Sequence, residues 1–247
     1  MSFLRKTAKA VRSMGTPLSR HALGHSVAPA WEHFALLSGL EALETVVDVG
    51  ANVGQFALVT RLSHPAATLH CFEPMKDAAE VLASVFSAQP KVHIHTCALG
   101  SKAGAAPLHV TAKADSSSLL EPTEQATVFP GTHMIGVEEV PVARLSDVLS
   151  PADITGPALL KLDVQGFEHE VLKGAGDLLA RFDWIYCEAS FQELYADQAR
   201  AHQVIAWLAA NRFDLAGVET DRLTRRNGRS VQADFLFSNR ECATHAL

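Results

Sequence analysis

Two runs of this chain place acids and glycines where chemistry could be done. The first is Val46-Val47-Asp48-Val49-Gly50-Ala51-Asn52-Val53-Gly54-Gln55-Phe56. A β-branched stretch ends at an acid and passes through two glycines into a helix-like segment, the pattern of a buried strand turning sharply over a ligand. The dinucleotide pattern G-x-G-x-x-G needs its middle glycine where the backbone approaches a pyrophosphate. Here Ala51, Asn52 and Val53 separate Gly50 from Gly54, so that glycine is missing. A carboxylate at Asp48 repels phosphate and suits ammonium or sulfonium charge. S-adenosylmethionine, a nucleoside joined to an amino acid with no phosphate, meets these conditions. The other reading is an ordinary tight strand-to-helix turn.

The second run extends from Ala158 to Gly174: ALLKLDVQGFEHEVLKG. A buried strand ends at Asp163, Gly166 turns the chain, and a short helix opens with Glu168, His169 and Glu170. If this strand lies beside the first, where the strand order reverses, Asp163 falls in the ligand crevice with the opening glycines. The acids also have structural readings, Asp163 as a turn cap and Glu168 and Glu170 as helix-start acids favoured by the dipole. A third acid, Glu73, closes the strand Thr68-Leu69-His70-Cys71-Phe72 about 25 residues after Asp48. An acid near that separation accepts hydrogen bonds from ribose hydroxyls in nucleoside-binding α/β folds.

These acids must be held by a scaffold, and the chain is long enough for one. Its 247 residues, 48% hydrophobic and 19% charged, suit one large α/β domain better than two. Cys71, Cys97, Cys187 and Cys242 are scattered with no C-x-x-C pair, which suggests neither a disulfide framework nor a zinc site. No apolar run is long enough to span a bilayer, and the basic N-terminus lacks the apolar core of a signal peptide. The expectation is a cytoplasmic protein. A formal charge of −6 argues against broad binding to nucleic-acid phosphates.

In chain order, the acid-free segment to about Arg20 carries Arg5, Lys6, Lys9 and Arg12 with Leu4, Ala8 and Val11 at helical spacing. It reads as a helix covering an edge of the fold, or as one lying on an anionic membrane. A helix is expected over Ala30 to Leu43, then strands and helices alternate: Phe56 to Leu62, Thr68 to Glu73, Asp77 to Ser87, and a strand from Lys91 to Leu99. His93 and His95 share one face of that strand, and no third metal ligand stands near them in sequence. Between Ala105 and Arg144 two strands, Ala106 to Thr111 and Val137 to Ala143, bracket a loop-rich insert with Ser116-Ser117-Ser118. Such an insert can cover an acceptor. Trp184 to Ser190 is a further strand with Glu188 inside an apolar run, either a hydrogen-bond hub or an acceptor-binding group. A helix over Ala199 to Ala210 and an antiparallel pair, Phe213 to Val218 with Val231 to Phe237, close the fold. Arg222, Arg225, Arg226 and Arg229 between that pair form a solvated loop or a grip for an acidic group.

With both runs in view, the chain resembles the FkbM family of S-adenosylmethionine-dependent methyltransferases. The resemblance covers about Thr45 to Phe237 and rests on ordered segments: VVDVGANVGQF, the FEP of Phe72 to Pro74, CALG at Cys97 to Gly100, SSSL at Ser116 to Leu119, LLKLDVQGFEHEVLKGA, CEAS at Cys187 to Ser190 and DFLF at Asp234 to Phe237. It implies an α/β class I methyltransferase (Rossmann-like) fold: a seven-stranded, mostly parallel sheet with helices on both faces and one antiparallel strand. The methyltransferase domain would span 45–240, with the hairpin and loop insert at about 105–144, a helical segment at 1–44 and a tail at 241–247.

The resemblance further implies O-methylation of a hydroxyl on a sugar, glycan or natural-product small molecule. Asp48, Gly50, Asn52 and Gly54, with Phe56 of the same segment, would surround the methionine part of the cofactor. Glu73 and Pro74 would take the ribose, Ala98 and Leu99 the adenine edge, and Ser117 the insert side. Asp163 would stand between cofactor and acceptor. The chain departs from the family pattern at Met75 and at Arg144-Leu145-Ser146-Asp147.

A hydroxyl acceptor needs somewhere to send its proton, so Asp163 is the expected general base or orienting group, with Glu168 and His169 as alternates. Asp163, Glu168 and a third acid could instead hold a divalent cation, although no dense acidic pair follows Asp163. The expectation is that no metal is held, with homo-oligomerisation left open. Two rival classes are a nicotinamide oxidoreductase, which lacks its glycine pattern here, and a non-catalytic nucleoside-binding subunit.

Overall fold

Strand β1 (Thr45–Val49) is buried along its whole length, as a strand with parallel neighbours on both sides and helices on both faces must be. The computed structural model describes residues 15–220, 225–226 and 228–242, so the basic N-terminal segment with Arg5, Lys6, Lys9 and Arg12 lies outside the described residues. In chain order α1 (Pro17–Gly24) starts at Thr16, whose hydroxyl accepts from the Ser19 N–H at 3.1 Å, with proline in the first turn. A 3₁₀ turn (Trp31–His33) and α2 (Phe34–Gly39) replace the single helix expected over Ala30 to Leu43. After β1 come α3 (Gln55–Ser63), β2 (Thr68–Phe72), α4 (Lys76–Val85), β3 (Val92–His95), β4 (Ala98–Leu99) and β5 (Gly104–Thr111). Then follow α5 (Gln125–Val128), β6 (Met134–Ala143), α6 (Leu145–Val148), β7 (Ala158–Leu162), α7 (Glu168–Ala175), β8 (Trp184–Ser190) and α8 (Ala201–Ala210). The chain ends with β9 (Phe213–Glu219), a short hairpin of β10 (Arg225–Arg226) and β11 (Arg229–Ser230), and β12 (Gln232–Asn239).

Seven strands form one sheet in the order β3-β2-β1-β7-β8-β12-β9. β12 runs antiparallel to both β8 and β9, and the other pairings are parallel. Side-chain alternation along β1 feeds both faces. Val47 and Val49 join Leu160, Leu162, Ile185 and Phe235 on one face, and Val46 joins Leu69, Leu159 and Tyr186 on the other. Each such side chain contributes about 1.5–3 kcal/mol on burial. The strand order reverses between β1 and β7, so their C-terminal ends flank the crevice where ligands bind in open α/β sheets.

The strand expected from Lys91 to Leu99 is broken in two. β3 pairs with β2 only as far as His95 against Phe72, and the Glu73 N–H takes the His95 carbonyl at 3.1 Å. Pro74 has no N–H to extend the ladder. The chain therefore leaves the main sheet, and Ala98 and Leu99 pair parallel with Val142 and Ala143 of β6 in a second, three-stranded sheet. β5 and β6 in that sheet are the expected hairpin, longer at both ends. All four cysteines are free. No helix among the described residues is long and apolar enough to cross a membrane.

The two histidines on β3 stack with a third on β2: ring centroids are 4.9 Å apart for His70 and His93 and 5.6 Å for His70 and His95. Burial, then the charges of His93 and His95, hold His70 down at about 4, with Asp153 pulling weakly the other way. The unfolded chain, with histidine near its ordinary ~6.5, takes this proton first. Stability is therefore complete above about pH 6.5 and falls as the pH drops toward 4. Melting temperature should decline across this window, and His70→Phe should flatten the decline; an unchanged slope would remove His70 as its cause.

Candidate functional site

The turn after β1 is shaped by a close crossing of chains. Gly50 has φ +76°, and a Cβ there would stand 1.9 Å from the Asp163 carbonyl oxygen, so only glycine lets the ends of β1 and β7 approach. Gly54, at φ +94°, caps α3, and a Cβ on it would meet Leu82 at 2.5 Å. Around this crossing opens a cavity of about 580 Å³, including its solvent-open mouth. Eight of the residues singled out from the sequence line it: Gly50, Asn52, Glu73, Pro74, Ala98, Leu99, Ser117 and Asp163. The serine insert forms one wall through Ala114, Asp115, Ser117, Ser118 and Leu119. The Ser118 hydroxyl donates to the Gln165 carbonyl at 2.7 Å, which ties the insert to the turn after β7.

Glu73 is 5% exposed, and each of its carboxylate oxygens accepts one backbone N–H at 2.8 Å, from Asn52 and from Met75. Burial raises its carboxyl above the ordinary range, opposed by those two hydrogen bonds. Two N–H donors leave the acid further acceptor capacity toward the cavity. Asp163 stands at the opposite wall with its side chain 42% exposed, and Oδ1 accepts from Gln165 Nε2 at 2.8 Å. Three carboxylates, Glu73, Asp115 and Asp163, line the cavity, and among the described residues no lysine or arginine does.

Five of the sequence candidates fall outside this lining. Asp48 is fully buried, because a position inside a strand covered on both faces cannot reach the crevice. The cation it meets is internal: Lys161 Nζ lies 3.0 Å from Asp48 Oδ1, on the register partner across β1 and β7, and donates to the Gly50 carbonyl at 3.2 Å. Burial works against the lysine's charge, but Asp48 and Asp163 more than offset it, so its ammonium is held above the ordinary lysine range. Asp48, read from the sequence as facing the cofactor's positive charge, thus meets the Lys161 ammonium and does not line the cavity. Gly54 serves helix packing, and Phe56 sits under the Lys161 ammonium, 5.3 Å from ring centroid to Nζ.

Glu168 and His169 also lie outside the cavity lining. Glu168 Oε1 accepts the N–H groups of Val164 at 3.0 Å and Gly166 at 3.1 Å, so this carboxylate holds the turn before its own helix. Burial pushes it up to about 7 despite those bonds. His169 packs edge-on against Trp207 of α8 at 5.6 Å. Among the described residues no group of three or more histidine, cysteine or acidic side chains is arranged to hold a metal ion.

Two residues that sequence reasoning passed over organise the site. Lys161 interrupts an apolar strand between leucines, and a buried lysine there demands a carboxylate partner; that was the available signal. Gln165 carried none, since its φ of +54° and its side-chain partners are set by distant chain. Glu188 proves to be a hub: Oε2 accepts from Gln165 Nε2 at 3.2 Å and Oε1 from Gln232 Nε2. Burial, then the neighbouring Asp163 and Asp234, push its carboxyl well above the ordinary range.

A mostly parallel seven-stranded sheet with one antiparallel strand, and a cavity at its switch point, define a Rossmann-like α/β fold. The chain belongs to the FkbM methyltransferase family: the family model described as Methyltransferase FkbM domain matches residues 48–215. It is similar to the 2-O-methyltransferase NoeI of Sinorhizobium fredii (strain NBRC 101917 / NGR234), 29% identical over 206 residues, 78% of this chain and 84% of that protein. It is also similar to the 31-O-demethyl-FK506 methyltransferase FkbM of Streptomyces tacrolimicus, 29% identical over 195 residues, 69% of this chain and 72% of that one. Among solved structures, the plantazolicin methyltransferase BpumL in complex with SAH is similar at 12% identity and a TM-score of 0.46, covering 96% of this chain and 90% of that one. The fold assignment rests on this chain's own sheet order rather than on that likeness.

Proposed function

We propose that this methyltransferase uses S-adenosylmethionine to methylate a hydroxyl of a sugar, glycan or natural-product small molecule. The observation that carries the reading is the cavity itself, lined by Gly50, Asn52 and three carboxylates, with no basic side chain among its described lining. Such a lining disfavours a pyrophosphate and suits a cationic nucleoside derivative. Glu73 would hold the ribose, Ala98 and Leu99 the adenine edge, and Gly50 with Asn52 the amino-acid part. When bound, the cofactor supplies an electrophilic methyl whose carbon–sulfur electron pair leaves on sulfur. The chain's own contribution is alignment of the acceptor, which can supply several kcal/mol of the barrier reduction, and a proton acceptor at Asp163. The insert wall formed by Ala114 to Leu119 would exclude water from the acceptor. The printed names of the two relatives, a 2-O-methyltransferase and a 31-O-demethyl-FK506 methyltransferase, support oxygen as the acceptor atom. We read 45–240 as the methyltransferase domain, with 1–44 and 241–247 as its flanks.

Calorimetry tests the cofactor first: S-adenosylhomocysteine should bind and NAD should not. Glu73→Gln, which turns one acceptor oxygen into a donor facing a backbone N–H, should weaken S-adenosylhomocysteine roughly 10- to 100-fold. NAD binding, or an indifferent Glu73→Gln, would reject the assignment. Methyl-labelled cofactor given with polysaccharide, lipid and small-metabolite fractions then identifies the acceptor class by which fraction takes the label.

A further inference from the structure

Gln165 is followed by a second left-handed residue, Gly166 at φ +98°, and a non-glycine residue at φ +54° is held there only by its surroundings. Those surroundings are four hydrogen bonds to four parts of the chain. Its side-chain nitrogen donates to Asp163 Oδ1 at 2.8 Å and Glu188 Oε2 at 3.2 Å. Its side-chain oxygen accepts from the Tyr195 hydroxyl at 2.9 Å, and its carbonyl accepts from Ser118 at 2.7 Å. An ionised Asp163 only accepts, which turns the amide nitrogen toward it, while the single proton of the Tyr195 hydroxyl is shared between Gln165 Oε1 and the Ser116 carbonyl, each 2.9 Å away. Tyr195 is itself fixed: it is 1% exposed, and its N–H donates to Gln198 Oε1 at 2.9 Å. A rigid prop thus reaches through Gln165 to the one cavity-lining carboxylate on the acceptor wall of β7.

We infer that Gln165 is the positioning residue of the site: its single amide bridges Asp163 and Glu188, turns Asp163 into the cavity and holds it ready to accept a proton. The inference rests on the proposed role of Asp163 as the acceptor's base. In the step it serves, the acceptor oxygen would bond to the methyl carbon as the carbon–sulfur bond breaks and its electron pair leaves on sulfur, and the hydroxyl proton would pass to an Asp163 carboxylate oxygen. Asp163 is faced by Lys161 on its own strand, Asp48 from β1, Glu168 from α7, Glu188 and the Tyr186 phenol from β8, Asp234 from β12, and the Tyr195 phenol. Most of these are acids, so an amide donating to two of them does what another carboxylate or an apolar residue cannot. Loss of a donor to an ionised group disfavours its charge.

Gln165→Met keeps the length of the side chain and removes its donors. The acid limb of the methyl-transfer rate should move up by about one pH unit while S-adenosylhomocysteine affinity holds within about threefold. Tyr195→Phe, which frees the oxygen end of the amide and the Ser116 carbonyl but leaves the amide's donors in place, should move the limb the same way by less. The carboxyl carbon-13 titration of Asp163 in wild type and Gln165→Met reads the same shift without turnover. A slower Gln165→Met with an unmoved limb and unmoved Asp163 titration means a structural role only and overturns the inference. If Gln165→Met does not fold, an unmoved limb in Tyr195→Phe overturns it equally. A wild-type protein that binds no S-adenosylhomocysteine or transfers no methyl sinks the proposed function instead, and the Asp163 titration still decides the placement.

Discussion

Asp163→Asn should lower methyl transfer by roughly 10²- to 10⁴-fold, the usual contribution of a positioned general base. Asparagine keeps the shape and an oxygen for Gln165 Nε2, which donates to Asp163 Oδ1 at 2.8 Å, so the turn should survive. It cannot take up a proton at the cavity wall. Asp163 is placed for that task because it lines the cavity with its side chain 42% exposed, with Lys161 Nζ 3.9 Å from Oδ2. Labelled-methyl incorporation gives the rate and calorimetry gives cofactor affinity, which should change by no more than a few-fold because the Glu73 wall is untouched. Undiminished turnover with cofactor still bound would remove Asp163 from the chemistry. Glu168 would not then be its replacement, since its Oε1 is committed to two backbone N–H groups.

Lys161→Met should have the largest effect on stability. Asp48 is fully buried, and its close cation is the Lys161 ammonium at 3.0 Å. Removing one partner of a buried pair leaves the other charge uncompensated, at a cost of about 3–5 kcal/mol. For a chain of this length each kcal/mol corresponds to roughly 2–4 °C, so a melting temperature lower by roughly 6–20 °C is expected. The double substitution Asp48→Asn with Lys161→Met removes both charges and should recover much of that loss. If the double variant is as unstable as the single one, lost packing of the lysine stem, rather than the stranded carboxylate, is the cause. The Gly50 carbonyl also loses its lysine donor, so the cofactor turn should soften in both variants.

The local signals that were legible in the sequence share one property: each is written in a few consecutive residues. The β-branched run ending at Asp48, the glycines at 50 and 54, and the strand-end acids Glu73 and Asp163 follow from side-chain period and from the backbone angles that glycine permits. They sufficed for the alternation of elements, the hairpin insert and the crevice at the sheet's reversal. Eight of the named residues do line one cavity. Where the strand from Lys91 ends was not legible, because its ladder stops where β2 meets Pro74 on a different strand.

What the tertiary structure alone decided is who faces whom. The register of β1 against β7 sets Asp48 opposite Lys161 and makes the two a buried pair, which no short stretch of sequence announces. Tyr195, Glu188 and Ser118 come from three other parts of the chain to seize Gln165, whose own neighbours give no hint of it. Period and turn chemistry are properties of short stretches and can be read from them. Register, burial and the sharing of one amide between two carboxylates depend on residues far apart in sequence, and exist only once the sheet has closed around them.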